Sequence, residues 1–291
     1  MDAVLVTTPT ESHEHYVRKS LRAGRAVFCE KPVAGDIKLV AACYEEADRV
    51  QKPLFCAFNR RFDPGMSAVY GQVKEGKIGK VYHIRTCSRD SCFPSISYLK
   101  ISNGIYHDSA VHDIDMICWI VGEEPVGVMA LGSAFNSEVK EIGDVDTTAI
   151  SLKFPSGTIG SIDLSRYSRY GYDQRLEVSS LVLSFSRRCT RIPMLQVLGE
   201  KGMLRVENIH ETPILGADQY GVTLPTYEYS FPERYKQAYI AELDHFVDVV
   251  LDPSIPLCVT KEQTLLASRV AEACGRSAKE GRMVGLTPHK N

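Results

Sequence analysis

The first 58 residues alternate between short apolar runs and amphipathic segments, and no other feature of the chain constrains its fold as strongly. The apolar runs predict β-strands at residues 3–6, 26–29 and 53–58. The segments between them, residues 12–23 and 36–50, carry helix start and stop signals such as Asp36 and Gly24. Alternation of strand and helix is typical of a parallel sheet. We therefore predict part of a doubly wound α/β unit with strands, residues 3–6 included, buried on both faces.

After residue 62 the pattern becomes one of polar and apolar alternation, which favours an antiparallel sheet. Helices are predicted at residues 64–75 and 108–121, and two more close the chain. Strands are expected to dominate from residue 126 to about residue 229. The predicted strands and closing helices are residues 81–89, 126–135, 147–154, 158–165, 233–251 and 260–281. The last helix opens with Thr260-Lys-Glu-Gln263, a capping box.

The sequence lacks the glycine-rich turn that normally opens a dinucleotide-binding sheet. No Gly-x-Gly occurs anywhere in it. Because the first apolar run has the character of a later strand of such a sheet, we expect an incomplete Rossmann domain, with roughly one βαβαβ half absent. We predict two domains: residues 1–62, the C-terminal part of a dinucleotide-binding Rossmann domain, and residues 63–291, an α+β domain for substrate binding and oligomerisation. The closing helix is expected to pack back on the first domain.

Residues 179–197 interrupt what otherwise reads as a hairpin. Residues 174–178 predict a strand, and residues 203–206 predict its return strand. The intervening segment mixes apolar residues with Arg187, Arg188 and Arg191 and has no clean period. We interpret it as an insertion in a surface hairpin, where added residues cost little.

The bulk composition excludes several classes of partner. The net charge is -2 and no Lys/Arg cluster is present, so no nucleic-acid partner is expected. The nine cysteines include no CxxC pair, which favours free thiols over a disulfide framework. No apolar stretch is long enough to predict a membrane span or a signal peptide. We expect a cytoplasmic protein that acts on a small molecule.

The densest group of ionisable residues lies between residues 104 and 115. On the predicted helix, Asp108 and His112 are four residues apart and so share one face. A carboxylate beside an imidazole orients the ring and raises its basicity, which suits a general base. Helix surfaces also carry such pairs by chance. A metal cluster of His107, Asp108, His112, Asp113 and Asp115 is the other interpretation, but no thiolate or distant carboxylate accompanies it. No metal is predicted.

Further candidates lie at the carboxyl ends of the predicted strands, where open α/β sheets bind ligands. Lys31 follows the second strand and can donate a hydrogen bond to a substrate hydroxyl, although an ordinary transition from strand to loop would look the same. Thr8 follows the first strand beside a helix N-terminus, which suits phosphate or ribose oxygens. Other arginines and tyrosines could line a polyol site or a subunit interface equally well. They are Arg166, Tyr167, Arg169, Tyr170, Tyr172, Arg234 and Tyr235.

Taken in order, these motifs resemble the Gfo/Idh/MocA oxidoreductases, and the inositol 2-dehydrogenase group most of all. The similar segments are Asp2–His13, Glu30-Lys31-Pro32, Phe58-Asn-Arg-Arg-Phe-Asp63, Ile78-Gly79-Lys80, Ser88-Arg89-Asp90, Asp108-x-x-x-His112-Asp-x-Asp115 and Arg234-Tyr235. The resemblance covers the chain except residues 179–197. One departure is that the family's usual Gly-Gly before the catalytic helix is Asn103-Gly104 here.

The resemblance implies an NAD-dependent dehydrogenase, with NADP as the other possible cofactor, that oxidises a secondary hydroxyl of a cyclic polyol or sugar. It implies that Lys31 contacts substrate and cofactor, that His112 is the base, that Asp108 orients it, and that Tyr235 helps to bind substrate. The residues implied along the dinucleotide are Thr8, Pro9, His13, Glu30, Lys31 and Asn59. It further implies a homodimer or homotetramer formed through an open sheet. Because the glycine-rich turn is absent, one alternative is a non-catalytic truncated isoform that acts as a binding or regulatory subunit. Another alternative is a member of the family that acts on another sugar or a dihydrodiol. We also expect this chain to bind NAD weakly.

Overall fold

The three apolar runs form a parallel sheet. The computed structural model describes residues 1–180, 201–212, 214, 216–219 and 221–287. Strands β1 (Ala3–Val6), β2 (Ala26–Glu30) and β3 (Leu54–Ala57) lie in the order β1-β2-β3, and all pairs are parallel. Helices α1 (Thr10–Arg22) and α2 (Ile37–Val50) connect them. Asp36 caps α2 by accepting a hydrogen bond from the Lys38 amide, as the sequence predicts.

The prediction that residues 3–6 are buried on both faces is wrong. Strand β1 lies at one end of the three-stranded order, and Leu5 is 53% exposed, whereas Val6 is buried. By contrast, Ala26–Cys29 of β2 and Leu54–Ala57 of β3 are buried throughout. Strand β3 lies at the other end of this order but is buried, with Phe55 in contact with Phe246 near the C-terminus of the chain, so burial of an end strand depends on what packs against its faces.

A seven-stranded, mostly antiparallel sheet follows, as predicted. Its order is β12-β5-β6-β7-β4-β8-β9, and β4 with β7 is its parallel pair. Its strands, together with a separate hairpin of β10 and β11, are β4 (Val81–Arg89), β5 (Gly127–Ser133), β6 (Thr147–Lys153), β7 (Ile159–Ser165), β8 (Asp173–Ser180), β9 (Met203–Val206), β10 (Gly216–Asp218), β11 (Gly221–Thr223) and β12 (Val284–Gly285). On β6 every second residue is buried, so one sheet face packs inward and the other is open.

The helices of this part of the chain are α3 (Pro64–Lys74), α4 (Ile96–Leu99), α5 (Val111–Val121), α6 (Ser137–Glu141), α7 (Phe231–Arg234), α8 (Lys236–Leu251) and α9 (Lys261–Glu280). Helix α5 packs against β4 of the large sheet, and α9 packs against β5. The predicted capping box of α9 is formed by Thr260 and Gln263. Helix α9 also contacts the parallel part of the chain, because the hydroxyls of Tyr44 and Thr264 are 2.9 Å apart. Ring contacts of Phe246 with Phe28 and Phe55 place α8 against β2 and β3.

Two predictions about the later chain need correction. Strands do not dominate up to residue 229, since in the described residues after β9 only β10, β11 and a single bridge between His210 and Tyr227 are extended pairs. The predicted hairpin does form, with Val178 opposite Leu204, but Ser179 also pairs, opposite Met203. The strand therefore continues past the expected start of the insertion, and residues 181–197 of that insertion lie outside the described residues.

Two further findings concern membrane-spanning helices and cysteine thiols. Within the described ranges, no helix has both the length and the apolar character needed to cross a membrane. Eight of the cysteines fall within these ranges, and all eight are free thiols.

Candidate active site

A cavity of about 690 Å³ opens between the carboxyl ends of β2 and β3 and the inner face of the seven-stranded sheet. Its walls include Leu164 and Gln174 from that sheet and Tyr239 from α8. Nine of the residues that the sequence singled out for catalysis or binding line it: Thr8, Pro9, His13, Glu30, Lys31, Asn59, Asp108, His112 and Tyr235. Elements far apart in sequence therefore bring these side chains to one place.

The Asp108 carboxylate is the centre of a hydrogen-bond network in this cavity. One oxygen accepts from the Tyr98 hydroxyl at 2.7 Å and faces the Lys31 ammonium at 3.3 Å. The other accepts from Arg166 at 2.9 Å. Burial by itself would raise the pKa of Asp108, but the charges of Lys31 and Arg166 outweigh it and hold the pKa below its ordinary value. The carboxylate is thus ionised and fixed in place.

The structure does not pair Asp108 with His112 as the helical spacing predicted. Residues Tyr106–Ala110 form a π-helix, and α5 begins only at Val111. A π-turn bonds each residue to the fifth one on, so residues four apart across it do not face each other as they do on an α-helix. Within the described chain no hydrogen bond joins Asp108 to His112. Lys31, and not the His112 ring, contacts the Asp108 carboxylate. The Lys31 ammonium also donates to the Asp108 carbonyl at 2.5 Å.

His112 lines the cavity with one ring nitrogen unpaired. The buried Nδ1 has no hydrogen-bond partner among the described residues. Burial, reinforced by the charges of Lys31 and Arg60, holds the pKa of His112 well below its ordinary value. The expected rise in its basicity is therefore wrong for the protein alone, and the ring is neutral near pH 7. A neutral imidazole can accept a proton.

Asp113 and Asp115 anchor α5 to the turn that follows β3. Arg60 donates to Asp113 at 2.8 Å, and Arg61 binds Asp115 through two nitrogens at 2.5 and 2.9 Å. All four side chains are at most 8% exposed. Since arginines already occupy these carboxylates, the Asp-x-Asp part of the motif positions the helix that carries His112. In the described residues no group of His, Cys, Asp or Glu is arranged to hold a metal ion.

The turn before the π-helix explains the departure from the family's Gly-Gly. Asn103 and Gly104 have φ angles of 65° and 79°. Two successive residues in this region normally require glycine, but asparagine tolerates it better than most side chains. The Asn103 amide also donates to the Gly35 carbonyl at 2.5 Å. The substitution therefore preserves the backbone that leads into Asp108.

Several residues of the cavity were not chosen from the sequence as site residues. Asp90 is a second carboxyl, and burial, only partly offset by Arg166, raises its pKa to about 6. Tyr98 and Gln174 also line the cavity, and nothing in their local sequence distinguishes them. Of the arginines and tyrosines considered for a polyol site, three line the cavity: Arg166, Tyr172 and Tyr235. Arg234 is buried and donates to Asp63, and the remaining three are exposed: Tyr167, Arg169 and Tyr170. Residues 166–172 lie between β7 and β8, outside both strands, so no strand period could have separated the two sets.

Five buried polar atoms around the cavity have no partner among the described residues. They are Asn59 Oδ1, His112 Nδ1, Arg166 Nε, Gln174 Oε1 and Tyr235 Oη. Buried polar groups in proteins are almost always hydrogen-bonded. Their concentration around one cavity indicates a ligand with several hydrogen-bonding groups.

Comparison with known proteins agrees with this geometry. Residues 1–58 match the model of an oxidoreductase family with an NAD-binding Rossmann fold, and residues 66–180 match the GFO/IDH/MocA C-terminal domain. The myo-inositol 2-dehydrogenase of Thermotoga maritima is 37% identical over 287 residues, which cover 98% of this chain and 80% of the relative. The inositol 2-dehydrogenase of Rhizobium meliloti is 34% identical, with 98% and 81% covered. The chain belongs to the GFO/IDH/MocA oxidoreductase family.

Solved structures of GFO/IDH/MocA proteins have the same fold. A myo-inositol dehydrogenase from Corynebacterium glutamicum superposes with a TM-score of 0.86 at 32% identity, covering 99% of this chain and 81% of that one. A scyllo-inositol dehydrogenase from Lactobacillus casei, solved with bound NAD(H) and scyllo-inositol, superposes with a TM-score of 0.83 at 26% identity, covering 98% and 80%. The family, the fold and a polyol dehydrogenase function are thus shown together.

The residues of the cavity fit the nicotinamide half of a dinucleotide. The N-terminus of α1 lies beside the cavity, and no side chain caps it among the described residues. Free amides at a helix N-terminus suit ribose or phosphate oxygens. His13 holds this turn in place, because its ring nitrogens lie 2.6 Å from the Thr8 carbonyl and 2.8 Å from the Pro32 carbonyl. These two contacts fix the backbone of the turn between β1 and α1 against the loop after β2.

Proposed function

We propose that the chain oxidises a secondary hydroxyl of a cyclic polyol of the inositol class, with NAD as the cofactor. The observation that carries the proposal is the convergence of Lys31, Asp108 and His112 in a cavity where four other buried polar atoms have no partner among the described residues. A molecule with a hydroxyl on every side satisfies such a set of donors and acceptors better than an apolar or a highly charged ligand does. The inositol dehydrogenases among the relatives support this class of substrate.

The reaction removes a proton from the hydroxyl oxygen and a hydride from the carbon. The nicotinamide of NAD, when bound, supplies the hydride acceptor. His112 is neutral because its pKa is low, and its Nδ1, which has no partner among the described residues, leaves the ring free to accept the proton. The Lys31 ammonium donates to the same substrate oxygen and stabilises the negative charge that develops there.

Asp108 acts on Lys31 in this proposal rather than on His112. Its carboxylate and carbonyl both contact the ammonium, and Tyr98 and Arg166 fix the carboxylate. Tyr235, whose buried hydroxyl lacks a partner in the described chain, contacts the substrate. The residues proposed to lie along NAD are Thr8, Pro9, His13, Glu30, Lys31 and Asn59.

The test is a dehydrogenase assay of the purified chain with NAD against myo-inositol, scyllo-inositol, glucose and a dihydrodiol. We expect an inositol to give the highest kcat/KM. His112→Gln should lower kcat by about 10²–10⁴-fold, as loss of a general base does. His107→Gln is the matched control, because it lies on the same helical segment but does not line the cavity.

Two results would contradict the proposal. One is a much higher kcat/KM for glucose or the dihydrodiol, which would place the chain with other substrates of the family. The other is unchanged turnover in His112→Gln. Isothermal titration with NAD separates a catalytic chain from a regulatory subunit, since it measures cofactor affinity without the substrate.

We also propose that the chain forms a homodimer or homotetramer through the open face of the seven-stranded sheet. Leu131 and Ile159 on this face are 61% and 50% exposed. The register places both outward, with Leu131 opposite Ala149. Exposed apolar side chains on a broad sheet face are typical of subunit interfaces.

A further inference from the structure

Glu242, on α8, is a buried carboxyl with no use in the chemistry described above. Its side chain has 0% exposure, and neither carboxylate oxygen has a hydrogen-bond partner among the described residues. Isolated buried charges are among the most costly features a protein can contain. In a folded protein such a carboxyl is either protonated, and so neutral, or ionised with a function for its negative charge.

The packing of α8 places Glu242 next to Glu30. Phe246 on α8 contacts Phe28 on β2, with ring centroids 5.7 Å apart. Glu30 is two residues beyond Phe28, on the same face of the strand, and Glu242 is one helical turn before Phe246, on the same face of the helix. This packing places the two carboxyls on facing surfaces of β2 and α8, one step nearer the cavity, and the negative charge of Glu30 acts on Glu242. Glu30 and Tyr239, three residues before Glu242, both line that cavity.

We propose that Glu30 and Glu242 form a buried carboxyl pair whose charge lets the cavity distinguish the oxidised, positively charged nicotinamide from the reduced, neutral one. The inference rests on the proposed function and extends it to cofactor selectivity. Glu30 lines the site directly, whereas Glu242 acts through Glu30 and is a positioning residue.

The electrostatics of the pair support this role. Burial, followed by the negative charge of Glu30, raises the pKa of Glu242 to about 9, and burial also raises the pKa of Glu30. The positive charge of Lys31 opposes the rise at Glu30. The other ionisable groups that interact by charge with one or both carboxyls are Lys31, His13, Cys29, Cys56, Tyr239 and Cys258. Near neutral pH, Glu242 is therefore protonated and the pair carries at most one negative charge.

A positive ring that enters the cavity favours the ionised pair. Binding of NAD⁺ then lowers the carboxyl pKa values and releases a proton to solvent, whereas NADH, with a neutral ring, releases little. Because NAD⁺ binds the deprotonated pair more tightly, its affinity should increase as the pH increases towards 9. The affinity for NADH should not follow this trend.

The test is isothermal titration of the purified chain with NAD⁺ and, separately, with NADH, in buffers of different ionisation enthalpy at several pH values. The dependence on buffer enthalpy gives the number of protons released. We expect release with NAD⁺ and not with NADH. Glu242→Gln, which mimics the protonated carboxyl in shape, should abolish the release and lower the affinity ratio of NAD⁺ to NADH at pH 9 by about tenfold or more. Glu45→Gln, an exposed change of the same kind on α2, should alter neither.

The outcomes separate this inference from the proposed function. If both forms bind with equal proton release, or if Glu242→Gln keeps the wild-type release, the carboxyl pair is not the selective element, although the dehydrogenase proposal stands. If neither form binds, both proposals fail. Infrared spectroscopy of the protein alone adds an independent readout, because the carbonyl band of a protonated carboxyl should be present at pH 7 and missing in Glu242→Gln. Its absence from the wild type would also overturn the inference.

Discussion

At the scale of single residues, Glu242 makes folding depend on pH. Its pKa is about 9 in the folded protein, against an ordinary value of 4.5 in the unfolded chain, so the folded state must hold a proton that the unfolded state gives up. The cost is absent below pH 4.5, grows as the pH increases, and reaches about 3 kcal/mol at pH 7, at about 1.4 kcal/mol per pKa unit. Glu242→Gln needs no proton, so thermal unfolding should show it more stable than the wild type at pH 8, with little difference at pH 4.5. Equal destabilisation at both pH values would mean that the carboxyl makes a contact the structure does not contain.

At the scale of elements, the buried pair of Arg61 and Asp115 joins the turn after β3 to α5, and Arg61 also donates to the Cys258 carbonyl before α9 at 2.8 Å. Removing one charge leaves the other buried and unpaired, so Asp115→Leu should cost about 3–5 kcal/mol in urea unfolding. The double variant Arg61→Met with Asp115→Leu should be less destabilised than Asp115→Leu alone, because no isolated charge remains. The control is the more exposed pair of Lys261 and Asp48, where Lys261→Met should cost under about 1 kcal/mol. A double variant as unstable as the sum of the two single variants would contradict this explanation.

At the scale of the whole molecule, the open face of the seven-stranded sheet should bury its apolar side chains between copies of the chain. Leu131→Arg places a charge among the apolar side chains of that face, and light scattering after size exclusion should then show a smaller assembly. Val222→Arg is the matched control, because this residue is 66% exposed but lies on β11, outside the large sheet. If the mass of Leu131→Arg equals that of the wild type, another surface forms the oligomer.

The sequence by itself determined the elements and most of the site. Periodicity in the apolar residues gave the parallel sheet, the antiparallel sheet and the closing helices, because burial follows the period of the backbone. Lys31 was found because chemistry in open α/β sheets gathers at strand ends. What only the tertiary structure decided were contacts between distant residues. The partner of Asp108 depends on a π-helix. The exposure of Leu5 depends on what packs against the faces of β1, and the protonation of Glu242 depends on the packing of α8 against β2. These depend on which atoms meet in space, and residue spacing along a single element carries no information about that.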